Sequence, residues 1–124
     1  MSAHAAQQGR LLYATSKAAL LALTRNQALA LASDRIRVNA VSPGWTWSNV
    51  IRDLSGNNRA KADQVAAPFH LNARLVDAEE VAPTVVFLCS PAASGSNGTE
   101  IAVDGGYRAL GPEQQIAQIA ALSG

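Results

Sequence analysis

Residues Leu11–Ala32 read LLYATSKAALLALTRNQALALA and are the longest run of helix-favouring residues in the chain. The run holds seven leucines and neither glycine nor proline, which predicts a helix of about five turns. Its apolar residues surround most of the circumference instead of forming a single stripe. We therefore expect this helix to be covered on two sides, by a sheet and by a second element.

Two short β-prone runs follow the helix. Ile36–Val41 predicts one strand, which ends at a chain reversal at Pro43–Gly44, and Glu100–Val103 predicts another, followed by a sharp turn at Asp104–Gly106. A long crossover that contains a helix joins the two strands, so we expect them to be parallel. Because parallel sheets are buried on both faces, two such strands indicate the edge of a larger sheet.

The crossover between the strands has two parts. Residues 45–76 contain two tryptophans, a glycine and a proline in no clear period, which favours short helices in a mobile excursion of the kind that often lies over a site. Asp77 and Glu80 have the spacing of a capping box, so a further helix is predicted from there to about Ser90.

Charge, apolar runs and cysteine usage exclude several classes of protein. Ten Lys and Arg against nine Asp and Glu give a net charge of +1, too little to favour nucleic acid or an anionic membrane as partner. The longest apolar run, Ala18–Leu23, is too short to span a bilayer, and residues 1–10 do not resemble a signal peptide.

Cys89 is the only cysteine, so we expect a cytoplasmic protein with a buried, inert thiol. His4 and His70 lack neighbours at ligand spacing, so no metal is expected.

Tyr13 and Lys17 form a chemically useful pair at the start of the long helix. Their spacing of four places the phenol and the ammonium on one helix face. An ammonium about 4 Å from a phenolate attracts it by roughly 4 kcal/mol at an effective dielectric constant of about 20. That attraction would favour the phenolate and let a tyrosine act as a general base near neutrality. Taken alone, such a pair is also common on helix surfaces, with the ring packed and the ammonium in water.

Several motifs resemble those of one known family. Tyr13–Ala19 (YATSKAA) is similar to the YxxxK signature of the short-chain dehydrogenases/reductases. Ile36–Gly44 (IRVNAVSPG) resembles that family's sixth strand and following loop, and Val103–Gly106 (VDGG) resembles its final strand. The motifs come in the family's order over about residues 2–107. The resemblance implies an α/β fold, the incomplete C-terminal half of a Rossmann-like doubly wound parallel sheet, with two short parallel strands and flanking helices.

The resemblance also implies a division of the chain and a reaction. Residues 1–111 would be the C-terminal part of a dehydrogenase-like domain, with a substrate loop at about 45–76. Residues 112–124 would be a tail in which Pro112 opens a short amphipathic helix that carries Ile116. The reaction would be a hydride transfer between NAD or NADP and a small-molecule alcohol or carbonyl substrate.

The family pattern assigns roles to individual residues. By resemblance, Tyr13 would be the proton donor or acceptor, and Lys17 would favour its phenolate and bind the nicotinamide ribose. Ser48 stands where the family has a threonine that binds the carboxamide or the pyrophosphate. Trp45 and Trp47 would border the substrate cleft or simply pack. The cofactor-binding residues implied in this way are Tyr13, Lys17, Pro43, Gly44, Thr46 and Ser48.

The sequence also departs from the family pattern. The position of the family's catalytic serine falls immediately before Met1, and Ser2 is the nearest stand-in. The family's glycine-rich turn after the first strand has no counterpart, because Gly95–Gly98 does not open a helix after a strand. We therefore expect this chain to be truncated and inactive as a catalyst on its own.

A second reading belongs to a different class of protein. In the family, the helix that corresponds to Leu11–Ala32 commonly packs against its counterpart in a neighbouring subunit. A homo-oligomer through this helix is therefore expected. The alternative function is a non-catalytic oligomerisation or interaction module derived from that family.

Overall fold

The computed structural model describes residues 2–112, 114, 115, 119 and 122. Its helices and strands are α1 (Leu11–Ala30), β1 (Ala40–Pro43), α2 (Asn49–Ser55), α3 (Arg59–Ala66), α4 (Ala78–Cys89) and β2 (Glu100–Val103). Single 3-10 turns lie at Ala32–Asp34, Ala67–Phe69, Pro91–Ala93 and Tyr107–Ala109. β1 and β2 form a two-stranded parallel sheet, which confirms the predicted α/β class and the predicted parallel pair.

The chain divides into two compact units, each with two segments. The first unit comprises Met1–Ser42 and Glu79–Ala102, and the second comprises Pro43–Ala78 and Val103–Gly124. The predicted boundary after residue 111 stays a prediction, because most of the proposed tail, Ile116 included, lies outside the described residues. In the part of the chain that is described, no helix combines the length and the apolar character needed to cross a membrane.

In the first unit, α1 forms where predicted but is mostly uncovered. It begins at Leu11 as expected and ends at Ala30, two residues earlier than predicted. Only Thr24 and Ala28 are buried, whereas Leu12 is 81% exposed. The predicted cover on two sides is therefore wrong for the described part of the chain, because high helix propensity and apolar character do not by themselves supply a neighbour.

β1 begins later than predicted, at Ala40 instead of Ile36. The Val38 N–H donates to the side-chain oxygen of Asn97 at 2.9 Å, and the Val38 carbonyl accepts from the Gly98 N–H at 2.8 Å. A loop thus occupies the backbone groups that a longer strand would pair with its neighbour. Regular pairing starts only at Ala40, while β2 has the predicted bounds.

Arg37 stabilises the end of α4 in the first unit. Its guanidinium donates to the carbonyl oxygens of Leu88 at 2.8 Å, Ser96 at 3.1 Å and Ser90 at 3.2 Å. A cation that binds the last carbonyls of a helix also complements the helix dipole. Cys89 is exposed, so its predicted burial is wrong; the inward position in this turn belongs to its neighbour Leu88.

In the second unit, the segment after β1 folds around a small core. Residues 45–76 contain the predicted short helices, α2 and α3. Ala62 and Ala66 of α3 are buried together with Leu75, which is 1% exposed. Three partly buried side chains pack against this core: Trp45, Trp47 and Ile51.

Arg59 holds α3 to the chain that follows it. Its guanidinium donates to Asp77 at 2.5 Å and to Asp63 at 2.8 Å, and it lies 5.4 Å from the ring centroid of Trp47. Asp63 also accepts the Leu75 N–H at 2.9 Å. The hydrogen bond to Asp77 is the main reason that the pKa of Arg59 is raised above its ordinary value.

Candidate active site

The first unit brings Tyr13 and Lys17 together at the start of α1. The Lys17 Nζ lies 5.4 Å from the centroid of the Tyr13 ring. The guanidinium carbon of Arg10 lies 5.2 Å from the same centroid. Tyr13 is 47% exposed, so a ligand has access to this residue from solvent.

The surroundings of Tyr13 are positively charged. The first turn of α1 contains no acidic residue, and within the described ranges Arg10 and Lys17 form no ion pair. Arg10 and Lys17 are therefore two cations beside the same half-exposed ring. Arg10 was not among the residues predicted for this site; its signal is a spacing of three residues before Tyr13, which places both on one helix face.

Ser2 is engaged elsewhere in the first unit. Its hydroxyl donates to the side-chain oxygen of Gln7 at 2.8 Å. Ser2 also lines an open cavity of about 300 Å³ next to Ala14 and Ala18 of α1. Around the helix from Tyr13, Ala14 lies at about 100° and Ala18 at about 140°, so both are on a different face. The suggestion that Ser2 replaces the family's serine remains a prediction.

The second unit places the predicted cofactor residues in one loop that begins at the end of β1. Pro43 is the exposed last residue of the strand. The Gly44 N–H donates to the Val103 carbonyl at 3.0 Å, and a Cβ at Gly44 would lie 2.7 Å from the backbone oxygen of Asp104. Only glycine allows this approach. The Thr46 hydroxyl donates to the Gly44 carbonyl at 3.1 Å, which tightens the turn.

The tryptophans of this loop form backbone hydrogen bonds with Val76. The Trp47 N–H donates to the Val76 carbonyl at 2.9 Å, and the Val76 N–H donates to the Trp45 carbonyl at 2.8 Å. Thr46 forms a parallel bridge with the same residue. Ser48 precedes α2, is exposed and makes no capping hydrogen bond with its side chain, so its hydroxyl remains open to a ligand.

The two tryptophans of the loop have different surroundings. Trp45 lines a cleft of about 220 Å³ together with Ile51, Leu54, Val65, Leu75 and the cation Lys61. Trp47 instead lies under two guanidiniums, those of Arg52 and Arg59, each 5.4 Å from its ring centroid. Trp45 therefore borders an apolar cleft and Trp47 packs against two guanidiniums, while a role of either ring at the substrate stays a prediction.

His70 is a residue whose place the sequence did not reveal. It is completely buried in the second unit and touches Trp45 through the backbone N–H of that residue. The signal was weak, because a single histidine between Phe69 and Leu71 is not distinguishable from a surface histidine by pattern. Among the described residues, no three or more His, Cys, Asp or Glu side chains are grouped so that they could hold a metal ion.

Comparison with known proteins identifies the family. The family model described as enoyl-(acyl carrier protein) reductase matches residues 1–108. Pteridine reductase 1 of Leishmania tarentolae is 44% identical over 99 residues, which cover 80% of this chain and 32% of that protein. The cis-4-hydroxycyclohexanecarboxylate dehydrogenase of Sinomonas cyclohexanicum is 42% identical over 98 residues, which cover 79% of this chain and 38% of that protein.

Solved structures of dehydrogenases are also similar to this chain over most of its length. A short chain dehydrogenase family protein from Francisella tularensis superimposes with a TM-score of 0.78 at 29% identity, over 88% of this chain and 48% of that one. A short-chain type dehydrogenase/reductase from Mycobacterium marinum gives 0.76 at 34% identity, over 89% and 42%. The chain thus spans about a third of the length of the curated relatives above and less than half of these solved structures. It belongs to the short-chain dehydrogenase/reductase family.

Proposed function

We propose that this chain carries the acid/base residues of an NAD(P)-dependent oxidoreductase that acts in the cytoplasm on a small alcohol or carbonyl compound. In the oxidation direction, the substrate hydroxyl gives its proton to the Tyr13 phenolate while its carbon gives a hydride to the nicotinamide ring. In reduction both transfers run backwards. The observation that carries the proposal is the half-exposed Tyr13 ring with the Lys17 ammonium 5.4 Å from its centroid.

Lys17 and Arg10 are the cations beside Tyr13, and both lie within 5.4 Å of its ring centroid. Lys17 would in addition donate a hydrogen bond to the ribose of the cofactor. Arg10 lies outside the YxxxK motif.

The loop of residues 43–48 would hold the nicotinamide end of NAD or NADP. The loop fits this role because the Ser48 hydroxyl makes no capping hydrogen bond and is exposed, as a donor for a carboxamide or a phosphate must be. Pro43, Gly44 and Thr46 would line the ring with backbone atoms. The bound cofactor would supply or accept the hydride.

Titration with NADH, followed by NMR of the purified chain, tests this assignment. We expect the amides of Gly44 and Thr46 in the second unit to shift and the ring of Tyr13 in the first unit to shift, with a Kd on the order of 1 mM because no glycine-rich turn binds the diphosphate. ADP-ribose, which lacks the nicotinamide, is the matched control and should leave the Gly44 and Thr46 signals unchanged. Shifts confined to other residues, or none, would overturn the assignment.

We further propose that the chain does not turn over substrate by itself. Without a glycine-rich turn, the diphosphate loses the backbone amides that normally bind it. Steady oxidation of NADH by the purified chain in the presence of a carbonyl substrate would contradict this inactivity. If such a rate were found, its loss in Tyr13→Phe would still support the acid/base role of Tyr13, and its survival would contradict that role.

The cleft beside Trp45 favours a substrate with a compact apolar part. Its volume of about 220 Å³ and its aliphatic lining suit a small ring, and Lys61 is the charged residue at its wall. One relative, by its name, acts on a hydroxylated cyclohexane that bears a carboxylate. We propose that a ring-bearing alcohol or ketone of this size is the substrate class.

The oligomerisation module is the second candidate, and the exposed leucines of α1 favour it. Leu11, Leu12 and Leu29 are each at least 78% exposed, which is unusual for large apolar side chains on one helix. Sedimentation of the wild type should show a dimer or larger species that Leu12→Glu converts to monomer. Gln27→Glu, an exposed polar position of the same helix, is the control and should not dissociate it. A monomeric wild type would contradict this candidate.

A further inference from the structure

His70 is the most enclosed polar side chain of the second unit. It is 0% exposed, and its ring lies edge-on to Tyr107 at 5.4 Å and to Trp45 at 6.2 Å between centroids. A Cβ added at Gly105 would lie 3.4 Å from the ring carbon Cδ2. The ring is therefore held on several sides by residues that are distant in sequence.

Both ring nitrogens of His70 have backbone partners. The Nδ1 lies 2.9 Å from the carbonyl oxygen of Ala66, and the Nε2 lies 3.3 Å from the backbone nitrogen of Trp45. A carbonyl only accepts and a backbone N–H only donates, so Nδ1 must carry the proton and Nε2 must be the acceptor. This pair of bonds is compatible with one form of the side chain, the neutral Nδ1–H tautomer.

The bond to Trp45 lies in the middle of the proposed nicotinamide loop. The amides of Gly44 and Trp47 on either side donate to backbone carbonyls, those of Val103 and Val76. The Trp45 amide instead donates to a side chain. A buried backbone N–H without a partner is costly, so removing the His70 acceptor should release this part of the loop.

We propose that His70, as the neutral Nδ1–H tautomer, is a positioning residue that fixes the backbone of Trp45. Through Trp45 it sets both the loop of residues 43–48 and the indole wall of the apolar cleft. The link to cofactor binding rests on the proposed function, whereas the hydrogen bond itself does not. His70 contacts this loop at Trp45, and its proposed role is to position the loop and not to take part in the reaction.

The turn that carries His70 is itself fixed. Trp45 stacks on Phe69 at 5.6 Å between centroids with an interplanar angle of 28°. The side chain of Gln115 donates to the carbonyls of His70 at 2.5 Å and Ala67 at 3.2 Å. Because these contacts hold the turn in place, the His70 ring can fix the position of the Trp45 backbone.

The tautomer is tested first on the unmodified chain. Nitrogen NMR of the histidine rings near neutral pH should show His70 with a protonated Nδ1 and an unprotonated Nε2, and the Trp45 amide should exchange slowly with solvent. His4 is the internal control and should show the opposite pattern, a protonated Nε2, because that nitrogen faces both carboxylate oxygens of Glu100. An Nε2–H tautomer, an imidazolium or a fast-exchanging Trp45 amide would overturn the proposal.

Two substitutions then separate positioning from general packing. His70→Leu removes the acceptor, and we expect the Trp45 amide to exchange about tenfold faster, as the loss of one buried hydrogen bond implies. His70→Gln keeps an acceptor oxygen near the position of Nε2 and should restore most of the protection. Equal exchange of Trp45 in both variants would contradict the proposal, and should His70→Leu fail to fold, the unmodified chain already decides the tautomer.

NADH titration of the same variants distinguishes this inference from the proposed function. If both hold, His70→Leu weakens the NADH shifts at Gly44 and Thr46, and His70→Gln restores them. If the wild type gives no NADH response but the tautomer and exchange results stand, the proposed function fails and the positioning role survives. A normal NADH response in His70→Leu with an unprotected Trp45 amide would overturn the claim that His70 sets the loop.

Discussion

The helix α1 and the segment of residues 45–76 contrast in composition and in burial. α1 has 20 residues of high helix propensity and many leucines, yet only Thr24 and Ala28 are buried. The segment 45–76 has shorter helices and a mixed composition, yet Ala66 and Leu75 are almost fully buried. Apolar character therefore predicts which side chains need cover, whereas burial requires a complementary surface in the folded chain.

Replacing Leu75 gives the largest expected effect on this contrast. Leu75→Ala removes a side chain that is 1% exposed and leaves a cavity beside Ala62 and Ala66, so the free energy of unfolding should fall by about 3 kcal/mol. Urea unfolding followed by the fluorescence of Trp45, which packs on this core, measures the loss. Leu54→Ala in α2, which is 78% exposed, is the matched control and should cost less than about 0.5 kcal/mol.

Leu12→Ala tests the other side of the contrast. At a protein concentration at which sedimentation shows only monomer, the substitution should change the free energy of unfolding by less than about 0.5 kcal/mol, because Leu12 is mostly exposed. Circular dichroism of the helix during urea unfolding is the measurement. A loss as large as that of Leu75→Ala would show that α1 is covered in solution and would end the contrast.

After Leu75→Ala, the largest expected loss of stability is that of Gly44→Ala. The added Cβ would lie 2.7 Å from the Asp104 backbone oxygen, so the two backbones must separate, at a cost of about 2 kcal/mol. Gly95→Ala is the control, because nothing lies within 4 Å of a Cβ there, and it should unfold like the wild type. Equal stabilities of the two variants in urea would mean that the loop after β1 is packed loosely.

Arg59→Lys should cost about 1 kcal/mol, because a lysine cannot bind Asp63 and Asp77 with a planar fork. Arg52→Lys, which changes only an exposed cation over Trp47, is the control and should cost little. The pKa of Arg59 is raised, so its stabilising charge is present at all lower pH values and is lost only far into the alkaline range. The lysine variant should therefore lose further stability above about pH 10 while the wild type does not, and parallel pH curves would contradict this.

His4→Gln should lower the free energy of unfolding by less than about 1 kcal/mol. The His4 Nε2 lies 2.9 Å from both oxygens of Glu100, but the pair is partly exposed and Glu100 also accepts from the Ser42 hydroxyl. The difference between the variant and the wild type should disappear at high salt, measured by urea unfolding at two salt concentrations. A difference that persists in salt would mean that His4 is buried in solution.

The sequence predicted the framework better than its contacts. The bounds of β2, the start of α1 and the short helices within 45–76 follow from periodicity and propensity, and the structure confirms them. The start of β1 was wrong because Val38 pairs with the loop at Asn97, a competition that no local pattern reveals. The grouping of Tyr13 with Lys17 was predictable from helix spacing.

The residues that surround the candidate site were harder to predict. Arg10 was readable in principle from its spacing to Tyr13, since helix geometry alone brings the two together. His70 was not readable, because its partners Trp45 and Tyr107 lie more than twenty residues away on either side of it. Trp45 lines the cleft, whereas Trp47 packs under two guanidiniums. This difference likewise depends on distant side chains.

Neighbouring residues alone settled which segments are helical and that the phenol of Tyr13 and the ammonium of Lys17 share a face. These properties depend on backbone geometry that repeats every few residues. The tertiary structure alone decided that Leu75 and His70 are buried, that the leucines of α1 remain exposed, and that Trp45 is held through its backbone. Burial and long-range hydrogen bonds form between residues far apart in the chain, so no local pattern specifies them.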